Sequence, residues 1–277
     1  MNSTVIAVVL AAGLLHALWN AIAKNLDDKF ATFALLNVGV AVASWTAWPF
    51  VGMAATRALP YVAVSTLVHI IYEILLMGAY RRGDFSQSYP IARGVAPLLV
   101  SVGGFVFASE HLSERGLLGV VGIAAGIISL MVRRGALSKL GGIYWALACG
   151  VSIAVYTVLD GLGVRAAHST LRYAALLFVA QSTVWLIGVG ARRDLSWWPG
   201  TRVAALGVLG GVMSIVGYSV VLWAQLRAPL GVVSALRETG VLWAALIGVV
   251  VFREGKLSRI MIPACLVVAG IALLSVA

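Results

Sequence analysis

Long apolar runs, each about twenty residues and separated by short clusters of charged and turn residues, follow one another from Thr4 to Val276. Cutting the chain at those clusters predicts spans at Thr4 to Ala23, Ala31 to Val51, Pro60 to Tyr80, Phe85 to Ala108 and Arg115 to Val132. A second set is predicted at Gly141 to Asp160, Arg172 to Ala191, Val203 to Gln225, Pro229 to Phe252 and Ser258 to Val276. The runs are apolar on every side rather than at alternate positions. In lipid, where each backbone polar group must be satisfied internally, that pattern suits helices and not barrel strands. About 20 residues of helix cross the roughly 30 Å of hydrocarbon in a bilayer. The expected fold is therefore an all-α membrane protein of ten transmembrane helices, with no room left for a separate soluble domain.

Composition agrees: 61% of the 277 residues are hydrophobic, only 11% are charged, and mean hydropathy is +1.01. The first span begins almost at Met1 with no basic residue before it, so a cleaved signal peptide is not expected. Cys149 and Cys265 both fall within spans, where a thiol is a small packing group; two cysteines make no metal cluster or disulfide framework. The net charge of +10 would suggest nucleic acid in a soluble chain. Here the basic residues sit at span ends, as membrane topology requires, and nucleic acid is not implied. Thirteen of them follow the odd-numbered spans: Lys24, Lys29, Arg81, Arg82, Arg133, Arg134, Lys139, Arg192, Arg193, Arg202, Arg253, Lys256 and Arg259. The opposite face has five, Arg57, Arg115, Arg165, Arg172 and Arg227. The positive-inside rule then places both termini outside the cytoplasm of a multi-pass protein in the cell (inner or plasma) membrane.

Sliding the chain against itself by 144 residues brings Arg93 onto Arg237, Glu110 onto Glu254 and Arg115 onto Arg259. The same shift superposes Ala125-Gly126-Ile127 on Ala269-Gly270-Ile271. Coincidence of such scarce charges points to an internal repeat, with one unit over residues 1–134 and the other over 139–277. Five spans per unit is an odd number, so the second unit enters the membrane from the other side. Two inverted repeats around a central cavity are the expectation, and exchange between their conformations is the physical basis of alternating access.

The runs His16-Ala17-Leu18-Trp19-Asn20, Tyr80-Arg81-Arg82-Gly83-Asp84 and Tyr89-Pro90-Ile91-Ala92-Arg93-Gly94 with Pro97 carry a further signal, as do Ala235-Leu236-Arg237-Glu238-Thr239 and Glu254. Together they resemble EamA-type members of the drug/metabolite transporter superfamily, over the whole chain. The acidic residue after the fourth and ninth spans, Glu110 and Glu254, is the most specific point of likeness. The resemblance implies two EamA repeats of five helices and export of amino acids, other metabolites or drugs across the bacterial inner membrane; aromatic amino-acid exporters are among such proteins. Many members are described with both termini in the cytoplasm, opposite to what the loop charges of this chain imply.

A charge at the bilayer centre costs about 2.5 to 3.5 kcal/mol on insertion scales and rarely faces lipid. The polar residues within spans are therefore the candidate site. His16, Trp19 and Asn20 stand at i, i+3 and i+4 on one helical face, and His69, Tyr72 and Glu73 repeat the arrangement in the third span. They could wall a substrate cavity, with Trp19 and Tyr72 stacking on a flat solute and Asn20 hydrogen-bonding it. The alternative is interhelical hydrogen bonding that holds the bundle together.

Arg93 lies two turns into the fourth span, after Tyr89 and Pro90 and before Pro97, and prolines free backbone groups, so a broken or bent helix is expected there. Its guanidinium could bind a substrate carboxylate, pair with Glu73 or snorkel to the interface. Arg237 and Glu238 occupy the corresponding depth in the ninth span. On a continuous helix such neighbours point in different directions, so direct mutual neutralisation is not expected. Ser234 shares a face with Glu238, while Tyr156 and Asp160 end the sixth span in the same register. A pair between Arg237 and Asp160 would serve as a structural lock as readily as a substrate site.

Glycines at 119, 122, 126, 207, 210, 211 and 217 read as packing seams, and Trp45, Trp48, Trp197 and Trp198 as interfacial indoles. No HExxH, GxSxG or cysteine–histidine cluster is present, so an enzyme is not expected, nor is a cofactor or metal. A structural or sensing membrane protein would not need Glu73, Arg93 and Glu238 within spans. The reading is a transporter that exports small organic solutes, with amino acids such as aromatic ones first and multidrug or cation export as the alternative. Its partners are the solute and the lipid bilayer. A proton is a possible coupling ion through His16, His69, Glu73 or Glu238, and the protein is expected as a monomer or weak dimer.

Overall fold

The computed structural model describes residues 2–24, 29–82, 85–132, 140–191, 200–250 and 258–277. Every regular element among them is helical. The helices are α1 (Ser3–Lys24), α2 (Lys29–Val51), α3 (Leu59–Arg82), α4 (Phe85–Ala108), α5 (Glu114–Val132) and α6 (Leu140–Ala167). They continue with α7 (Thr170–Gly190), α8 (Thr201–Gln225), α9 (Leu230–Glu238), α10 (Gly240–Val250) and α11 (Ser258–Ser275), and a 3-10 turn, Thr56–Ala58, precedes α3. Helices α9 and α10 are separated by Thr239 alone and form one broken span, so the described residues build ten spans. Seven segments are long and apolar enough to cross a membrane.

The polarity of the bundle is that of a protein dissolved in lipid. Phe107, Leu171, Ile187 and Val268 point outward and are exposed, whereas Arg93, Asp160, Gln225, Arg237 and Glu238 are buried. Apolar surface gains nothing from burial when the solvent is hydrocarbon, while charges gain everything. Among the expected packing seams, α8 lies close against α2, where a Cβ on Gly211 would press on the carbonyl oxygen of Leu36, and α5 lies close against α11. A Cβ on Gly119 would lie 2.9 Å from the carbonyl oxygen of Gly270, and one on Gly126 would lie 2.9 Å from that of Pro263. Cys149 is buried and both cysteines are free.

The most extensive packing contacts follow a rule that lesser ones, such as α6 with α7, do not. Helix α3 packs on α6 and α1 on α8; α4 packs on α6, and α1 on α9 and α10. Likewise α3 meets α7 and α2 meets α8, while α2 with α7, α4 with α9 and α5 with α11 pair across the two halves. Exchanging each span for the one five places later maps this set of pairs onto itself.

Three expectations require correction. The sixth span does not end at Asp160: α6 runs on to Ala167 because the carboxylate is satisfied by neighbouring hydroxyls and has no need of the interface. Of the broken or bent helix expected in the fourth span, the break is absent, since α4 continues as one helix through Pro97. Pro97 has no N–H to give the carbonyl of Arg93, and its own carbonyl accepts a hydrogen bond from the Ser101 hydroxyl at 2.8 Å. The break falls in the ninth span, after Glu238. Glu254, Trp197 and Trp198 lie outside the described residues.

Candidate functional site

Four candidates from three helices meet in one ionic cluster. Arg93 of α4 donates from Nη1 to both carboxylate oxygens of Glu238, at 3.0 and 3.3 Å. Arg237 donates from Nε and Nη2 to Oε1 of the same carboxylate, at 2.9 and 2.7 Å. Nη2 of Arg93 lies 3.0 Å from Nε2 of His16 on α1. A guanidinium can only donate, so that imidazole nitrogen accepts and carries no proton. Arg93 is 6% exposed and Glu238 1% exposed, which excludes snorkelling.

The direct pairing of Arg237 with Glu238 corrects the expectation that chain neighbours would not neutralise one another. Both residues lie on α9, and the long, flexible arginine side chain folds back onto the carboxylate next to it. Just beyond the break, the lack of a side chain at Gly240 lets α1 come close, because a Cβ there would lie only 2.8 Å from the carbonyl oxygen of Gly13.

A second cluster centres on Asp160, which is fully buried. Oδ1 accepts hydrogen bonds from the Ser65 hydroxyl at 2.5 Å and the Tyr173 hydroxyl at 2.8 Å, and Oδ2 accepts one from the Tyr218 hydroxyl at 2.5 Å. His69 Nε2 stands 3.9 Å from Oδ2. Asp160 is thus held by hydroxyls and not by Arg237, and the lock considered from the sequence does not form. The His69 ring stacks on Tyr156 with centroids 3.9 Å apart, and Tyr72 and Tyr218 meet Tyr156 edge-on. The guanidinium carbon of Arg237 lies 5.9 Å from the Tyr156 ring, so this tyrosine joins the two clusters.

Glu73 belongs to neither cluster. Its Oε2 accepts from the Trp185 indole N–H of α7, Asn37 of α2 is a further hydrogen-bond partner, and Trp185 stacks near Phe33. The suggested pair of Glu73 with Arg93 is replaced by Arg93 with Glu238. Ser234 is fully buried, one turn before Glu238, and its hydroxyl has no hydrogen-bond partner among the described residues. The side chains of Trp19, Asn20 and Tyr89 lie outside the described residues.

Sequence reasoning missed Ser65, Tyr173, Tyr218, Asn37 and Trp185. Their hydroxyl, amide and indole groups are common in apolar helices, and only the fold shows which charge they serve. It also missed the role of Glu110, whose Oε2 accepts the N–H of Leu230 at 2.8 Å and whose Oε1 pairs with Arg165 at 2.5 Å. That carboxylate satisfies a free N–H at the start of α9. No group of three or more potential metal ligands occurs among the described residues.

Residues 140–276 match the EamA-like transporter family. No curated protein sequence matches the chain. One solved structure, titled only as the crystal structure of a protein, superposes with a TM-score of 0.80 over 100% of this chain and 98% of its own at 19% identity, a likeness of fold.

Proposed function

We propose that this chain, an EamA-type membrane transporter of small solutes by its match over residues 140–276, exports amino acids, aromatic ones among them, by alternating access. The observation that carries this reading is the shared carboxylate. Two buried guanidiniums, Arg93 and Arg237, converge on the single anion of Glu238, so these three side chains carry one positive charge more than negative. A buried excess charge is costly unless a guest compensates it, and a guanidinium offers a planar fork matched to a carboxylate. The unpartnered Ser234 hydroxyl adds a donor, and the Tyr72 and Tyr156 rings beside Arg237 supply a surface for a flat side chain.

In this reading residues 1–134 and 139–277 are two inverted units, and a central cavity between them is lined by His16, Trp19, Asn20, His69, Tyr72, Glu73, Tyr89, Arg93, Tyr156, Ser234, Arg237 and Glu238. The self-consistent exchange of packing partners between halves supports it. So do the crossings of Arg93 with Glu238 and of Ser65 with Asp160, each of which joins one half to the other. In the same reading both termini lie outside the cytoplasm in the cell membrane, which the bias of loop charges supports. The family is one of transporters, not enzymes.

Purified protein in liposomes tests the proposal. Saturable uptake of labelled phenylalanine, tyrosine or tryptophan is expected. Flux of a cationic drug with no flux of any amino acid would overturn the assignment and favour drug export.

A further inference from the structure

We propose that His69 and Asp160 form a proton-binding site, in which one proton enters on Nε2 of His69 and closes an ion pair with the carboxylate. Nδ1 of His69 lies 2.9 Å from the Ser65 carbonyl oxygen. A carbonyl has no hydrogen to give, so Nδ1 is the donor and the neutral ring is the Nδ1–H tautomer. Nε2 is then a bare acceptor. It faces Oδ2 of Asp160, an acceptor already serving the Tyr218 hydroxyl, across 3.9 Å. Two facing lone pairs in a buried setting make a vacancy that a proton taken from water fills. Nothing leaves, and the pair goes from a net charge of minus one to zero.

The surroundings single out this histidine. His16 is committed as an acceptor to Arg93, and Glu238 accepts from two arginines. Glu73 is turned toward Trp185 of α7. The groups that face the pair are Ser65 and Tyr72 from α3, Tyr156 from α6, Tyr173 from α7, Tyr218 from α8 and, over the Tyr156 ring, Arg237 from α9. Among the described residues the imidazole is the one basic group within ion-pair distance of Asp160.

Position gives this site a consequence. The His69 ring lies on Tyr156, and the Arg237 guanidinium lies near the same ring. A charge on His69 therefore raises the positive field around Arg93 and Arg237, and proton and carboxylate bind cooperatively. This last step rests on the function proposed above; the proton site itself does not.

Nitrogen-15 NMR of histidine-labelled full-length protein in nanodiscs tests the site without any solute. His69→Gln identifies the relevant signal among the four histidines. The expected result is an Nδ1–H tautomer at high pH that becomes doubly protonated on acidification. Asp160→Asn should lower its proton affinity by about ten-fold or more. Should that variant not fold, Tyr218→Phe, which frees Oδ2 of one donor, should raise the affinity instead. An Nε2–H tautomer, or titration indifferent to both changes, would overturn the proposal. In the wild-type protein, a bound aromatic amino acid should raise the proton affinity of His69 in the same titration; an unchanged affinity would overturn the cooperative step and leave the tautomer result standing.

Discussion

Arg93 and Glu238 sit 145 residues apart in sequence and 3.0 Å apart in space, and their contact joins the two halves of the chain inside the bilayer. The pair is asymmetric because Glu238 has a second partner in Arg237, so one carboxylate serves two guanidiniums.

That asymmetry predicts unequal costs of truncation. Glu238→Ala removes the carboxylate that both buried guanidiniums share, and should destabilise by about 3–5 kcal/mol. Arg93→Ala leaves the Arg237–Glu238 pair neutral and should cost at least about 2 kcal/mol less than that. Thermal unfolding in detergent, followed for both variants, checks the order. Equal losses would mean that the two arginines do not share the carboxylate.

A backbone contact positions this cluster. A Cβ at Gly240 would press on the carbonyl of Gly13, so Gly240→Ala should push α1 from the helix break and cost about 1–3 kcal/mol. Gly188 of α7 has nothing near a built Cβ. Gly188→Ala should cost nothing and gain up to about 1 kcal/mol from helix propensity. The difference in melting temperature between the two alanine variants is the measurement.

Glu110 predicts a graded series. Alanine removes both the acceptor for the Leu230 N–H and the partner of Arg165, and should cost about 1–2 kcal/mol. Glutamine keeps an acceptor and should cost less. The two variants, compared by chemical denaturation, separate the hydrogen bond from the charge.

These features differ in how far the sequence discloses them. The spans are legible because hydropathy sums over some twenty residues, and one misplaced polar group barely alters the total. Asp160 misleads for the same reason: a charge normally marks a helix end, and its three hydroxyl donors come from α3, α7 and α8, which no local pattern links to α6. The repeat offset pairs Arg93 with Arg237 correctly in depth, yet not in partner. Helical periodicity sets where each Cα–Cβ bond points, and Arg237 and Glu238 obey it on α9; the length of the arginine side chain, which periodicity does not describe, brings its guanidinium to the neighbouring carboxylate. Gly240 is the local hint of the break that follows. Glu73 shares a face with His69 as the spacing demands, but a face is wide enough for the two to meet different neighbours.

The central claim is that the excess guanidinium charge recognises a carboxylate. Competition in liposomes tests it most directly, using labelled phenylalanine with 3-phenylpropionate, which keeps the carboxylate, and phenethylamine, which keeps only the amine. The account predicts that the acid competes, the amine does not, and Arg93→Ala abolishes the competition. Competition by the amine alone would contradict it.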